Sequence, residues 1–401
     1  SFILGGVSSA ELLKNWNFSV KDSSGLTRKY YVLKWISPDK ETEIRCNITE
    51  YTRYPALEWK ICFRNTGNKN SPVLEKVLPL DAGYLFTDVE KIPEKAPVLH
   101  CNKGSDNANT DFMPIDQVVD VGKNFLMESR KGRSSETFLP FWNFEYNNSG
   151  IVTALGWSGD WHADFSFTTE KWLSTMKAGM SNIRLYLKPG EEISSPSVCL
   201  LYWEGKESQR GNNLFRRLMK DEITPRWKGK EPFVFGMSGC ANILDSINEI
   251  NQVDYIRKIA GCGANVYWMD AGWSAKGTDA TWWTSRGNWY PDDKKFPHGL
   301  KVLGDEAHKN GLNFLLWFDP EVVCPGTEIA TKHPDWVLRP GEKETGLFNL
   351  GNPEALKYVT NLINTSINKW NMDIYRNDYN IDPATFWKLG DDSGRSGMTE
   401  I

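Results

Sequence analysis

The chain has 401 residues, enough for two domains and a large core. Its net charge of −4 gives no electrostatic case for nucleic acid or an anionic membrane surface, and no apolar run reaches the length of a membrane-crossing helix. Tryptophan is the outlier: 18 of them within an aromatic content of 13% point beyond core packing to carbohydrate, because indole faces stack on pyranose rings.

The cysteines (46, 62, 101, 199, 240, 262 and 324) show no Cys-x-x-Cys spacing and are odd in number, so buried free thiols are expected. His100, His162, His298, His308 and His333 are isolated, and neither a metal nor another cofactor is expected. The chain opens on Ser1 without a Met, so removal of the natural start is expected; the compartment, cytoplasmic or exported, stays open.

Residues 1–205 read as a sandwich of antiparallel sheets. RKYYVLKWIS (28–37), EIRCNITEYTRY (43–54), ALEWKICFRNTG (56–67), ETFLPFWNFEY (136–146), IVTALGWSG (151–159), DFSFTTEKW (164–172) and NIRLYLKPGE (182–191) are short, aromatic and β-branched, with turn signals between them. SQRGNNLFRRLMKDEITPRW (208–227) carries apolar residues at helical spacing, predicting a linker helix within 206–230.

From 231 the rhythm changes to strand, helix, strand, helix. PFVFGMSG (232–239), NVYWMDAGW (265–273), LNFLLWFDPEVV (312–323) and MDIYRNDYN (372–380) are the expected strands. The helices are 243–263, stopping at Gly261 and Gly263, then 300–311, and 352–371 with Asn352 as cap and Pro353 as first helical residue. The Gly261-x-Gly263 pair lacks the full dinucleotide fingerprint and is read as a helix stop. Alternating β and α elements of this kind build a parallel α/β barrel, whose active site gathers at the carboxyl ends of its strands. A closed barrel takes eight strands. Residues 231–401 supply about the first four β/α units, so the natural protein is expected to continue beyond Ile401, since half a barrel leaves strand edges unpaired.

In three of these strands the carboxylates stand where the apolar run gives out: Asp270, then Asp319 with Glu321, then Asp378. Asp378 shares a face, by period two, with Arg376 and Asn380. A guanidinium beside a carboxylate keeps it ionised, as a nucleophile requires, although an Asp–Arg pair at a strand end is also a common structural device. Asp319 and Glu321 are expected to face the mouth of the barrel, with the plainer alternative that one of them pairs with a Lys or Arg across it.

Together, MDAGW (269–273), GNWYPDDKKFPHGLKVL (287–303), HKNGLNFLLWFDPEVV (308–323), KHPDW (332–336) and YRNDYN (375–380) resemble glycoside hydrolase family 36, the microbial α-galactosidase and α-N-acetylgalactosaminidase family. GWSGDW (156–161) looks like the family's Trp-Ser-Gly motif. The resemblance implies an N-terminal β-supersandwich followed by a (β/α)8 TIM-type barrel, and a retaining mechanism with two carboxylates. It places the nucleophile at Asp378 and assigns sugar binding to Asp270, Trp317 and Asn380; from their places at or near the strand ends, Trp273, Asp319 and Arg376 are expected to bind substrate as well. Ala271 stands where the family's second Asp is usual, and Arg376 and Asn377 replace its Lys and Trp, so recognition of the sugar is altered. The family's general acid/base would lie beyond Ile401. The expected partner is an α-galactoside or α-galactosaminide oligosaccharide or glycoconjugate, with a homo-oligomer a possible assembly; α-galactosaminidase or α-N-acetylgalactosaminidase activity is the near alternative, and a non-catalytic carbohydrate-binding protein the more distant one.

Overall fold

The structure is a computed structural model that describes the chain apart from residues 86–95, 169–172, 228, 232–233, 240–243 and 275–280. Cys240, the end of the expected strand 164–172 and the start of the expected strand 232–239 therefore lie outside the described residues. Two compact units form, one from Ser1–Thr224 with Asp391–Ile401 and one from Pro225–Gly390.

The first unit is built on antiparallel sheets. A ten-stranded sheet carries Asn17–Ser24, Arg28–Ile36, Thr42–Tyr51 and Ala56–Asn65 in successive hairpins, continued by Ser197–Glu204, Ser149–Gly156 and Phe141–Tyr146. A four-stranded sheet holds Leu80–Leu85, Asn124–Ser129, Trp161–Thr168 and Leu173–Met180. In Trp161–Thr168 burial alternates residue by residue, as a half-buried strand requires. Its inward Trp161 and Phe165 meet Trp142, Phe144 and Val198 from the larger sheet in one apolar cluster, so the sheets pack face to face. The sandwich is as expected, but 182–191 yields only the two-residue strand Arg184–Leu185, since Pro189 and Gly190 end it in a turn.

The predicted linker helix belongs to this unit. Gln209–Leu218 is helical and ends in a five-residue π turn, Met219–Ile223. Leu218 is buried with Trp203 and Val152, and Gly211 leaves room for the Trp203 indole, which a Cβ would meet at 2.5 Å. Glu222 pairs with Arg28 and Arg53. The last residues also differ from expectation: Asp391–Ile401 joins the sandwich instead of extending the α/β unit. Arg395 donates to Glu191 at 2.7 Å and to the Tyr186 carbonyl at 3.2 Å. Glu400 accepts from Trp157 Nε1 at 3.1 Å and from the Asp160 amide at 2.7 Å, which ties the GWSGDW turn to this segment.

The second unit contains four parallel strands in chain order: β1 (Gly236–Ser238), β2 (Val266–Met269), β3 (Asn313–Phe318) and β4 (Ile374–Asn377). Helices α1 (Glu249–Ile259), α2 (Lys301–Lys309) and α3 (Pro353–Trp370) lie in the crossovers. Asn248 caps α1 in a reciprocal pair with Asn251, and Asn352 caps α3 by accepting from the Glu354 amide at 2.9 Å. Alternate strand residues Tyr267, Met269, Phe314, Leu316 and Phe318 join Ile256, Leu303, Val359 and Trp370 of the helices in the core. The first strand is shorter than predicted. Val234 and Phe235 precede it and are exposed, and among the described residues β1 pairs with β2 alone.

Candidate active site

Parallel register sets the strand ends level. Met269 pairs with Leu316 and Leu316 with Tyr375; one step on, Trp317 pairs with Arg376. Period two from Trp268, Trp317 and Arg376 then brings Asp270, Asp319 and Asp378 to one face, at the carboxyl ends of β2, β3 and β4. The Asp378 amide bonds to the Phe318 carbonyl at 2.7 Å, which extends the ladder one residue and fixes the carboxylate's origin.

Asp378 is partly exposed, and its donors converge on one oxygen. Oδ2 accepts from Trp317 Nε1 at 2.8 Å and from Asn380 Nδ2 at 2.9 Å, with Arg376 Nη1 at 3.5 Å. Burial pushes the Asp378 carboxyl up, but these two bonds and the nearby guanidinium outweigh it and hold the group below the ordinary carboxylate range. Oδ1 receives none of these side-chain donors.

Arg376 stands between two carboxylates. Its Nη1 is also 3.9 Å from Asp270 Oδ2, and its guanidinium carbon sits 4.8 Å from the Trp268 ring centroid. That stacking restrains a long side chain at little entropic cost. Nη1 is buried without a hydrogen bond, a donor in reserve at the floor of the site. Asp270 accepts from the Ala271 amide at 2.7 Å through Oδ1, leaving Oδ2 toward the site. Ala271 itself is buried in the apolar core.

Three expected binding residues occupy other roles. Trp273 is 0% exposed, packs edge-on to Phe318 and Trp370, and donates Nε1 to the Trp317 carbonyl at 2.9 Å. It is a prop for β3, because the glycine before it (Gly272, φ 103°) turns the chain back into the core. Trp317 is 2% exposed, so its ring packs against Trp289 and Trp282 while its N–H serves Asp378; the structure gives it no open stacking face. Asp319 is 0% exposed and lies behind the site, bonded by Arg286 Nη1 at 3.1 Å and Asn380 Nδ2 at 3.1 Å. Burial pushes the Asp319 carboxyl up against the opposing pull of Asn380 and Arg286. The cross-mouth Arg pairing weighed for this pair of acids is thus the one found, at Asp319.

Glu321 does not share the face of Asp319. Pro320 ends the strand, and Glu321 instead accepts from Asn377 Nδ2 at 3.2 Å, on the opposite side of β4 from Arg376 and Asp378. Burial raises its carboxyl to about 7. Arg286 was not singled out by sequence, although it directly precedes the GNWYPDDKK stretch. Among the described residues, no group of three or more His, Cys, Asp or Glu side chains is placed to hold a metal ion.

Known proteins resemble this chain in sequence and in fold. The melibiase family model matches residues 194–387. α-Galactosidase Mel36A of Lactobacillus acidophilus is 27% identical over 323 residues, 76% of this chain and 41% of that protein. α-Galactosidase AgaA of Geobacillus stearothermophilus is 30% identical over 224 residues, 53% of this chain and 30% of that protein. The chain thus spans less than half the length of these curated relatives. Among solved structures, the family 36 α-galactosidase AgaA A355E of G. stearothermophilus superposes with a TM-score of 0.76 at 18% identity, over 93% of this chain and 56% of that one. The Lactobacillus brevis α-galactosidase gives 0.75 at 18% identity, over 90% and 50%. At that identity the likeness is one of fold; residues 194–387 match the melibiase family model, and the chain is similar in sequence to α-galactosidases and in fold to those of glycoside hydrolase family 36.

Proposed function

We propose that this chain carries the nucleophile and part of the sugar site of a retaining glycoside hydrolase that removes non-reducing terminal α-galactosyl units. One observation carries the reading. Asp378 is an ionised, partly exposed carboxylate at a strand end, with its donors gathered on Oδ2. Oδ1 then forms a bond to the anomeric carbon as the glycosidic C–O bond breaks. The leaving oxygen takes a proton from a general acid, and water releases the sugar from the Asp378 ester. In retaining enzymes the two carboxyls stand about 5–5.5 Å apart. No acid in this chain is assigned the second role, and the four β/α steps are read as the first half of a (β/α)8 barrel whose remainder supplies it.

Asp270 Oδ2, the oxygen that the Ala271 amide leaves free, suits a sugar hydroxyl. The relatives support the substrate class: AgaA variants of G. stearothermophilus have been solved in complex with raffinose and with stachyose.

The test is a panel of nitrophenyl glycosides offered to the full protein: α-galactoside, α-N-acetylgalactosaminide, α-galactosaminide and α-glucoside. Hydrolysis of the α-galactoside with retention in the first-formed sugar, read by NMR, is expected. Preference for an amino sugar would reassign the substrate. Inversion would remove the covalent mechanism, and hydrolysis of none would favour a carbohydrate-binding role.

A further inference from the structure

We infer that Arg286 is a positioning residue for the reaction, acting through Asp319 to lock the amide of Asn380 against Asp378. The inference rests on the reading of Asp378 as nucleophile.

The argument turns on how many hydrogens each group has to give. Asn380 Nδ2 is 3.1 Å from Asp319 Oδ2 and 2.9 Å from Asp378 Oδ2. An ionised carboxylate only accepts, so both amide hydrogens must face the two acids. The orientation of the Asn380 side chain is thereby fixed, with its carbonyl oxygen turned away from both. The Asn380 backbone amide adds a bond to Asp319 Oδ1 at 3.3 Å.

This lock holds only while Asp319 stays ionised, and it is 0% exposed. A carboxylate stripped of water without a counter-charge takes up a proton instead. Arg286 supplies the counter-charge: it is 3% exposed, and its Nη1 donates to Asp319 Oδ2 at 3.1 Å. Its own geometry is set by Nε, which donates to the Trp283 carbonyl at 2.8 Å, and by stacking 3.7 Å above the Trp283 ring. Were Asp319 protonated, it could donate to the Asn380 carbonyl. The amide would then flip, and Asp378 would face an oxygen where it now has an N–H donor.

The experiment measures kcat and KM of the full protein on nitrophenyl α-galactoside across pH, with thermal melts alongside. Arg286→Met should cut kcat/KM on the order of 10²-fold, the scale for a reacting group displaced by a fraction of an ångström to 1 Å. It should also move the acid limb to higher pH, since Asp378 loses a donor. Arg286→Lys, which keeps the charge, should recover part of both. Because Arg286→Met strands a buried charge, the double variant Arg286→Met/Asp319→Leu is included; similar-volume apolar replacement of a buried ion pair is tolerated by folds. Folded variants with unchanged kcat and acid limb would overturn the inference. The Asp378→Ala variant separates the two claims. If it is inactive while the Arg286 variants are normal, only the positioning role fails; if it remains active, the nucleophile assignment fails.

Discussion

Trp317 donates its indole N–H to Asp378 Oδ2 over 2.8 Å, from the strand next to the one that ends in the carboxylate. The β3–β4 register makes the contact possible by pairing Trp317 with Arg376, one period-two step before Asp378. Trp317 is buried by Trp289 and Trp282, and its backbone carbonyl is held by Trp273 Nε1. Its donor therefore reaches the carboxylate already oriented, without an entropic cost to be met when substrate arrives.

Trp317→Phe tests that relationship. A smaller aromatic ring remains while the N–H is lost, and a hydrogen bond to a charged group is worth about 1.5–3 kcal/mol. The acid limb of kcat/KM should move up by roughly one pH unit, since about 1.4 kcal/mol corresponds to one unit. The melting temperature should fall as well, since the smaller ring leaves a cavity beside Trp289 and Trp282, so the acid limb is the readout that isolates the lost N–H. An unmoved acid limb would mean that the indole does not govern the ionisation of Asp378.

Replacing the carboxylate itself is the harsher experiment. Asp378→Ala in the full protein should abolish turnover of natural oligosaccharides while the fold persists, since the side chain is partly exposed and is not part of the apolar core. Added azide should restore some activity on an activated glycoside with inversion at the anomeric carbon, because the small anion attacks from the vacated side. Wild-type rates in Asp378→Ala would refute the assignment.

The period-two logic made Asp270, Arg376, Asp378 and Asn380 legible, because a short parallel strand has little freedom in where its last residues point. It failed at Trp273, one residue past a glycine whose positive φ sends the side chain inward. It failed differently at Asp319, which lies on the expected face but beneath the surface of the site. Arg286 was out of reach because its partner is 33 residues away, across α2 and β3, and no local period links the two. The β-sandwich was legible from aromatic, turn-punctuated segments, whereas the return of Asp391–Ile401 to it depends on Arg395 meeting Glu191 and on Glu400 meeting Trp157, pairings without a local signal.

Arg376 invites a comparison of charge with shape. Arg376→Met removes the cation between Asp270 and Asp378, so both carboxylates lose their shared counter-charge. Arg376→Lys keeps the charge and loses the planar face on Trp268. The Met variant should raise the acid limb and weaken galactose inhibition, while Lys should preserve the limb and weaken inhibition alone. Identical behaviour of the two would remove the stacking from the argument. Asp270→Asn, measured beside them, should weaken inhibition by galactose more than by glucose if Asp270 holds the axial 4-hydroxyl.

Two half-buried carboxyls away from the face that carries Asp378 make stability itself depend on pH. Burial raises Glu321 and Glu400 to about 7 from the ordinary 4.5. The sign follows from the proton count. Between about pH 4.5 and 7 the unfolded chain has released these protons while the folded chain keeps them, so stability falls as pH rises through that window and levels off above the folded value. Each group shifts the balance by on the order of 3 kcal/mol across the window, at about 1.4 kcal/mol per unit. The two lie in separate compact units, Glu321 bonded by Asn377 and Glu400 by Trp157 and the Asp160 amide, so their effects should add. Gln mimics the protonated acid at each site, with an oxygen still able to accept the same bonds. Urea denaturation at pH 5 and pH 7.5 should therefore show a smaller pH difference for Glu321→Gln and for Glu400→Gln than for the parent, and the smallest for the double variant. A double variant with the parent's full pH difference would place the titrating groups elsewhere.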